Sequence, residues 1–208
     1  MAERKRQLVS RELAEAALQL LARKGFDGVT VDEIAAAAGV SKRTFFRYFA
    51  SKEDVVVRFL TDLGLGMRAE LAARPAAEPP ATALLRTTQA AMAACADRPD
   101  RPDHAARTLR VVQLILRTPP LLARFLERQE QWRRDLAEEL ARRRQVDLAK
   151  DLYPELAAGL ALTAFNTALR RWSDSDGTEE AAGLLDRAFT VVAPALDAGE
   201  APRPLDRN

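Results

Sequence analysis

Residues 30–52 read TVDEIAAAAGVSKRTFFRYFASK. Thr30 is placed to cap a helix, and Glu33 three residues on completes a capping box. Val29, just upstream, is spaced to pack on Ile34 as a hydrophobic staple. The pattern predicts a helix over 31–38, stopped by Gly39. Ser41 then caps a second helix, predicted over 42–49, with Val40 stapled onto Phe45. Ser51 caps a third and longer one whose stripe is Val55, Val56, Phe59, Leu60, Leu63, Met67 and Leu71. Asp54 stands where the reciprocal capping residue belongs, on a shorter side chain than Glu. The first two of these helices, joined by a three-residue turn, form a helix-turn-helix. Ala35 supplies the small residue facing the partner helix, and Gly39 supplies the turn residue that tolerates positive φ.

Laid out at 100° per residue, the second helix buries Phe45 and Phe49 with Tyr48 beside them. Arg43, Thr44 and Arg47 point the opposite way, flanked by Lys42 and Phe46. Arginine pairs bidentately with guanine, and threonine offers a hydroxyl and a methyl, so this face suits the DNA major groove. Thr30, Ser41, Tyr48 and Lys52 sit near helix ends, where hydroxyls and cations meet phosphates. The plain alternative is a solvated basic face, with Thr30, Ser41 and Ser51 acting only as caps. Phe46 argues against it, because solvation does not explain an aromatic beside the charges.

Outside this segment, a first helix ends near Lys24, carried by Leu13, Ala16, Ala17, Leu20 and Leu21 and stopped by Gly25. Further helices are predicted over 80–96, 104–117, 120–144, 154–173 and 178–192. A linker is expected at 74–80, a loop at 98–103 and a disordered tail at 199–208. The 208 residues are 48% apolar and 30% charged, with few aromatics and abundant Leu, Ala, Arg and Glu. That balance is expected of an all-α globular protein rather than a disordered one.

Several function classes fall away. One cysteine, Cys95, cannot make an intrachain disulfide, and one histidine, His104, excludes His₂ and His₃ metal sites. No glycine-rich phosphate loop and no nucleophile–base pair is found, so the chain is expected to be neither an enzyme nor a holder of a metal or cofactor. Cys95 reads as a core thiol and His104 as a loop or helix-cap residue. The longest uncharged stretch, Leu156 to Leu169, is too short for a membrane span, which needs about 18 apolar residues. No leader-like apolar run follows Arg4, Lys5 and Arg6, and a cytoplasmic location is expected. Residues 1–52 carry ten Lys/Arg against six Asp/Glu, a surplus of four, within a chain of net charge +2. A basic head on a slightly acidic body fits a nucleic-acid-binding module joined to something else.

The run GFDGVTVDEIAAAAGVSKRTFFRYFASKEDVV, within residues 8–60, resembles the N-terminal domain of the TetR family of bacterial transcriptional regulators. The resemblance implies a homodimer of two-domain, all-α subunits of about nine helices. A three-helix DNA-binding head (1–52) is joined to a helical ligand-binding and dimerisation body (53–198). By position, Lys42, Arg43 and Thr44 face bases, Thr30, Tyr48 and Lys52 hold phosphates, and Arg47 serves either. The family usually has tyrosine where this chain has Phe46, so apolar contact with a sugar or thymine methyl is expected to replace a phosphate hydrogen bond.

In the body, Leu162, Phe165, Leu169 and Trp172 form one stripe, and Leu184, Leu185, Ala188, Phe189 and Val192 another. These two helices are expected to pack on each other or on a second copy. The family places its four-helix dimer interface there, which nominates Phe165, Leu169, Trp172, Leu185 and Phe189. Arg110, Gln113 and Arg117 share one predicted helix and are candidate ligand contacts, with Trp132 and Asn166. For the last two a core ring and a buried register amide are the plainer readings, and Arg142, Arg143 and Arg144 read as a solvated helix end.

LRVVQLILRTPPLLARFLERQEQWRRDLAEELARR and LALTAFNTALRRW resemble a C-terminal domain of actinobacterial members associated with acyl-CoA-like or lipophilic ligands. That implies an apolar tunnel with Arg110 or Arg117 near its mouth. The expected function is that of a dimeric repressor on double-stranded DNA, released from a palindromic operator by a small effector. An effector-independent or activating regulator is the alternative, and a helical enzyme a remote one.

Overall fold

Gly25 and Gly39 adopt φ of +77° and +65°, and each ends a helix by turning the chain through the left-handed region. In the computed structural model, residues 2–96 and 104–198 are described, with side chains except those of residues 2–8, 11, 95, 96 and 104. The expected loop at 98–103, the tail at 199–208 and the side chains of Cys95 and His104 lie outside the described residues.

Among the described residues there are nine helices and no strand. They are α1 (Ala2–Lys24), α2 (Val31–Ala37), α3 (Lys42–Tyr48), α4 (Lys52–Ala73), α5 (Pro80–Ala96), α6 (His104–Arg117), α7 (Pro119–Arg144), α8 (Tyr153–Asp174) and α9 (Ala181–Asp197). None of these is long and apolar enough to cross a membrane.

The last helix starts later and runs further than its sequence pattern indicates. Residues 178–180 form its entry turn instead, with the Thr178 hydroxyl donating to the Ser175 carbonyl and the Glu179 carboxylate held by Arg171 and Arg187. Pro194 lies inside the helix, and the Ala198 amide still donates to the Pro194 carbonyl. A proline in the last turn removes one amide donor without ending the helix.

The chain divides into two compact units, residues 1–65 with 94–129 and residues 66–93 with 130–208. In the first, α1 packs on α2 and α6, and α2 on α3. Leu13, Ala17 and Leu21 of α1, Ile34 of α2, Phe45 of α3 and Val55, Val56 and Leu60 of α4 are buried, as are Val111, Val112 and Ile115 of α6. Each fully buried Leu, Ile or Phe contributes about 1.5–3 kcal/mol through the hydrophobic effect, so this short-helix head has a core of its own.

In the second unit α8 lies along α9. A row of buried alanines, Ala157, Ala158, Ala161, Ala164 and Ala168, permits close approach, and the larger Phe165, Leu185 and Phe189 are buried with them. The end of α4 is tied down by Arg143 of α7, whose Nη1 donates to the carbonyls of Leu71 (3.1 Å) and Arg74 (2.8 Å) and whose Nη2 donates to that of Pro75 (2.7 Å). The sequence reading of Arg143 as a solvated helix end is thereby corrected, because its guanidinium is spent on carbonyls at and just beyond the C-terminal end of α4.

Candidate nucleic-acid interface

The helix-turn-helix is held by local bonds that its own sequence supplies. The Thr30 hydroxyl accepts from the Glu33 amide (3.2 Å) and the Glu33 carboxylate accepts from the Thr30 amide (2.9 Å), which completes the capping box. Lys24 Nζ lies 2.7 Å from the same carboxylate. These hydrogen bonds, led by that from Lys24, hold the Glu33 carboxyl down to about 2. The turn is closed by the Gly39 amide on the Ala36 carbonyl (3.1 Å) and the Val40 amide on the Ala35 carbonyl (2.9 Å). Ser41 then caps α3, accepting from the Thr44 amide at 3.1 Å.

Phe45 anchors α3 from below and is fully buried. Its ring meets Phe49 at 5.5 Å and stands edge-on to Phe46 at the same distance. Phe46 itself is 49% exposed. The outward surface of α3 therefore carries Lys42, Arg43, Phe46 and Arg47, all exposed, with Thr44 and Tyr48 half-buried at its margin. An aromatic held edge-on by a buried ring costs little further entropy when it meets a partner.

The candidate contacts differ in how they are already engaged. Arg43 has no hydrogen bond or ion pair among the described residues, so its guanidinium is available. Lys42 Nζ is 2.9 Å from Asp32 of α2, an exposed pair that an incoming phosphate or base must displace. Arg47 lies over the Tyr48 ring, 5.1 Å from its centroid. The Ser41 and Thr44 hydroxyls bond each other at 3.0 Å, and that of Thr30 also donates to Glu33 at 3.1 Å.

Lys52 faces inward. Its Nζ donates to the carbonyls of Phe26 (2.7 Å) and Val29 (3.2 Å) and sits 4.2 Å above the Phe26 ring. An ammonium has three donors, so one is left for a phosphate. At the start of α4 the Asp54 amide donates to the Ser51 hydroxyl (3.3 Å), while the Asp54 carboxylate reaches back to the Ala50 amide (3.0 Å). The aspartate thus completes a reciprocal cap one residue earlier than a glutamate would.

The candidate ligand residues fall in both units. Arg110, Gln113 and Arg117 belong to the first unit, where Arg110 and Arg117 are exposed and Gln113 half-buried. The buried stripe of α6 is instead Thr108, Val111, Val112 and Ile115, and Arg110 lines a cleft against α1. In the second unit Trp132 is buried and Asn166 half-buried. Phe165, Leu169, Trp172, Leu185 and Phe189, nominated for a dimer interface, are each 5% exposed or less within the single chain. They lie in the chain's own core, and the large exposed apolar residues of these two helices, among the described residues, are Leu156 (61% exposed) and Val191 (80%).

Sequence reasoning missed Asp32 as the partner of Lys42, although the acidic first turn of α2 is visible in the sequence. It also missed Gln19, Arg23 and Arg107 as neighbours of Arg110. Their spacings (i, i+4 on α1 and i, i+3 on α6) mark them as co-facial pairs, but only the packing of α1 on α6 brings the two pairs together.

Residues 13–59 match the family described as bacterial regulatory proteins, tetR family, and residues 78–197 match the MftR C-terminal domain. The chain is 33% identical over 197 residues to the HTH-type transcriptional regulator TcmR of Streptomyces glaucescens, covering 93% of this chain and 87% of that protein. It is 27% identical over 193 residues to the HTH-type transcriptional repressor DhaR of Mycobacterium sp. (strain GP1), covering 90% of this chain and 92% of that protein. The crystal structure of the transcriptional regulator FadR from Bacillus subtilis in complex with stearoyl-CoA shares the fold. Its TM-score is 0.64 at 18% identity, covering 91% of this chain and 98% of that one.

Proposed function

The chain belongs to the TetR family of bacterial regulatory proteins, and from that premise we propose that it is a dimeric, sequence-specific DNA-binding repressor. It acts in the cytoplasm without catalysing a reaction, and a small lipophilic or acyl-CoA-like effector releases it from a palindromic operator. The observation that carries this reading is the outward face of α3. Exposed Arg43 and Arg47 flank an exposed Phe46 on a helix whose other side is anchored by buried Phe45. Arg43 and Lys42 read base edges, Thr44 and Phe46 meet thymine methyls or sugars, and Thr30, Ser41, Tyr48 and Lys52 fix the register on phosphates.

Two copies paired through the outward surfaces of α8 and α9 present two such helices, matched to half-sites about 34–36 Å apart. The effector reading is supported by the match to the MftR C-terminal domain and by the stearoyl-CoA complex of the FadR structure. Repression is supported by the name of DhaR. Effector binding acts by shifting α4 and so the spacing of the two heads. A coupling of about 1–3 kcal/mol changes operator occupancy from severalfold to over a hundredfold.

Selection of genomic DNA fragments by the purified protein at a fixed salt concentration tests the reading. One enriched inverted repeat, with the bound DNA released by stearoyl-CoA, is the expected result. Binding that depends on salt but not on sequence rejects it.

A further inference from the structure

Helix α4 carries glycine twice in three residues, at Gly64 and Gly66, near the middle of its 22 residues. Glycine is the weakest helix former after proline. A helix keeps one where the chain must turn or where a neighbour leaves no room for a methyl. Neither reason applies at exposed Gly66. Its φ is not positive, and a Cβ added there would meet no atom within 4 Å. The glycines inside α8 and α9 differ, because the Arg133 side chain stands within that distance at Gly159 and the Glu180 carboxylate at Gly183.

The helix on either side of the pair is better supported. Residues 63–67 read Leu-Gly-Leu-Gly-Met and carry no charge. Before them Arg58 pairs with Asp62 (3.1 Å), and after them Arg74 pairs with Glu70 (3.7 Å). The Thr61 hydroxyl bonds back to the Val57 carbonyl (2.8 Å), a contact that weakens and bends helices. The first compact unit ends at Leu65, and Gly66 begins the second. Val55, Val56 and Leu60 are buried on the first side, and Met67 and Leu71 on the second. There Arg68 reaches Asp135 (3.8 Å) and Glu138 (3.7 Å) of α7, and Arg143 holds the helix end. Helix α7 passes the same division between Gln129 and Glu130, but without a glycine and with Arg133 and Arg134 both paired to Glu130.

We propose that Gly64-Leu65-Gly66 is a flexible joint built into α4, at which the helix bends while residues 67–73 stay fixed on α7. The proposal rests on the reading that an effector acts through α4, and it locates where that movement is taken up. An alanine at Gly66 fits the space and the backbone, so it stiffens the joint without disturbing a neighbour.

The first test is hydrogen exchange on the full-length protein, free of DNA and ligand. Amides of residues 66–70, whose helical bonds span the glycines, should exchange faster than those of 57–61 in α4 and 129–133 in α7. Gly66→Ala should slow the first set about fourfold to fivefold, the ratio set by glycine's helix penalty, and raise the melting temperature. Adding Leu65→Gly to Gly66→Ala moves the glycine by one residue and should restore fast exchange. Equal protection along α4 in the wild type overturns the joint, as does unchanged exchange in Gly66→Ala.

The second test is release of the enriched inverted repeat by stearoyl-CoA, read by fluorescence anisotropy. Gly66→Ala should hold this DNA at least as tightly as the wild type and need several times more stearoyl-CoA for half release. The double variant should return to the wild-type value. Release unchanged in Gly66→Ala overturns the proposal. A wild type that enriches no repeat, or is not released by stearoyl-CoA, counts against the proposed function, and the exchange result then decides the joint by itself.

Discussion

Lys42 and Arg43 are neighbours at the start of α3 and meet DNA from different starting points. Lys42 must first leave Asp32, and exposed pairs of this kind are worth at most about 1 kcal/mol. Arg43 exchanges only water. Phe46, three residues on, gives the face its apolar element, and its edge-on contact with buried Phe45 fixes where the ring points. Covering a thymine methyl there is worth about 0.8 kcal/mol, or roughly fourfold in affinity. Replacing that thymine by uracil should weaken wild-type binding by this amount and leave Phe46→Ala indifferent, as read by fluorescence anisotropy. Equal sensitivity in both proteins places the methyl against another residue. The exposed face was legible in the sequence because caps and helical spacing fix which residues point outward. The engagement of Lys42 and Lys52 was not, because Asp32 and the carbonyls of Phe26 and Val29 approach only through the packing of the head.

At the scale of elements, α2 and α3 are each seven residues long, too short to hold as isolated helices. Their caps and the buried anchors Ile34 and Phe45 supply what length does not. Glu33 bonds Lys24 and Thr30 and titrates near 2, below the ordinary carboxylate value of 4.5. A carboxyl depressed on folding adds stability that is complete above about pH 4.5 and is lost as the pH falls towards 2. Thermal melts between pH 2 and 5 should therefore show a steeper acid-side decline for the wild type than for Glu33→Gln. Parallel curves contradict the capping role. Helix starts were readable from Thr30, Ser41 and Ser51, since each needs only its own next three residues. The extent of α9 was not, because it depends on Arg171 and Arg187 holding Glu179 and on a proline accommodated in a last turn.

At the scale of the whole molecule, apolar stripes on α8 and α9 announce burial without saying whether the cover comes from the same chain or from a second one. The buried positions Phe165, Leu185 and Phe189 belong to the subunit's own core. Phe189→Ala should accordingly cost about 3–5 kcal/mol of subunit stability. Val191→Glu, at an exposed position, should leave the melting temperature of a dilute monomer unchanged and shift sedimentation from dimer to monomer. If Val191→Glu remains fully dimeric, the pairing surface lies elsewhere.

Whether α3 reads sequence is tested most directly by comparing base preferences of the wild type and Arg43→Ala on a randomised binding-site library at one salt concentration. The expected outcome is a symmetric wild-type motif that loses discrimination at one base pair per half-site in Arg43→Ala, at a cost of about 1–3 kcal/mol. An unchanged motif with affinity lowered equally for all sequences would mean that Arg43 touches only phosphate, and that α3 is an electrostatic face rather than a reader.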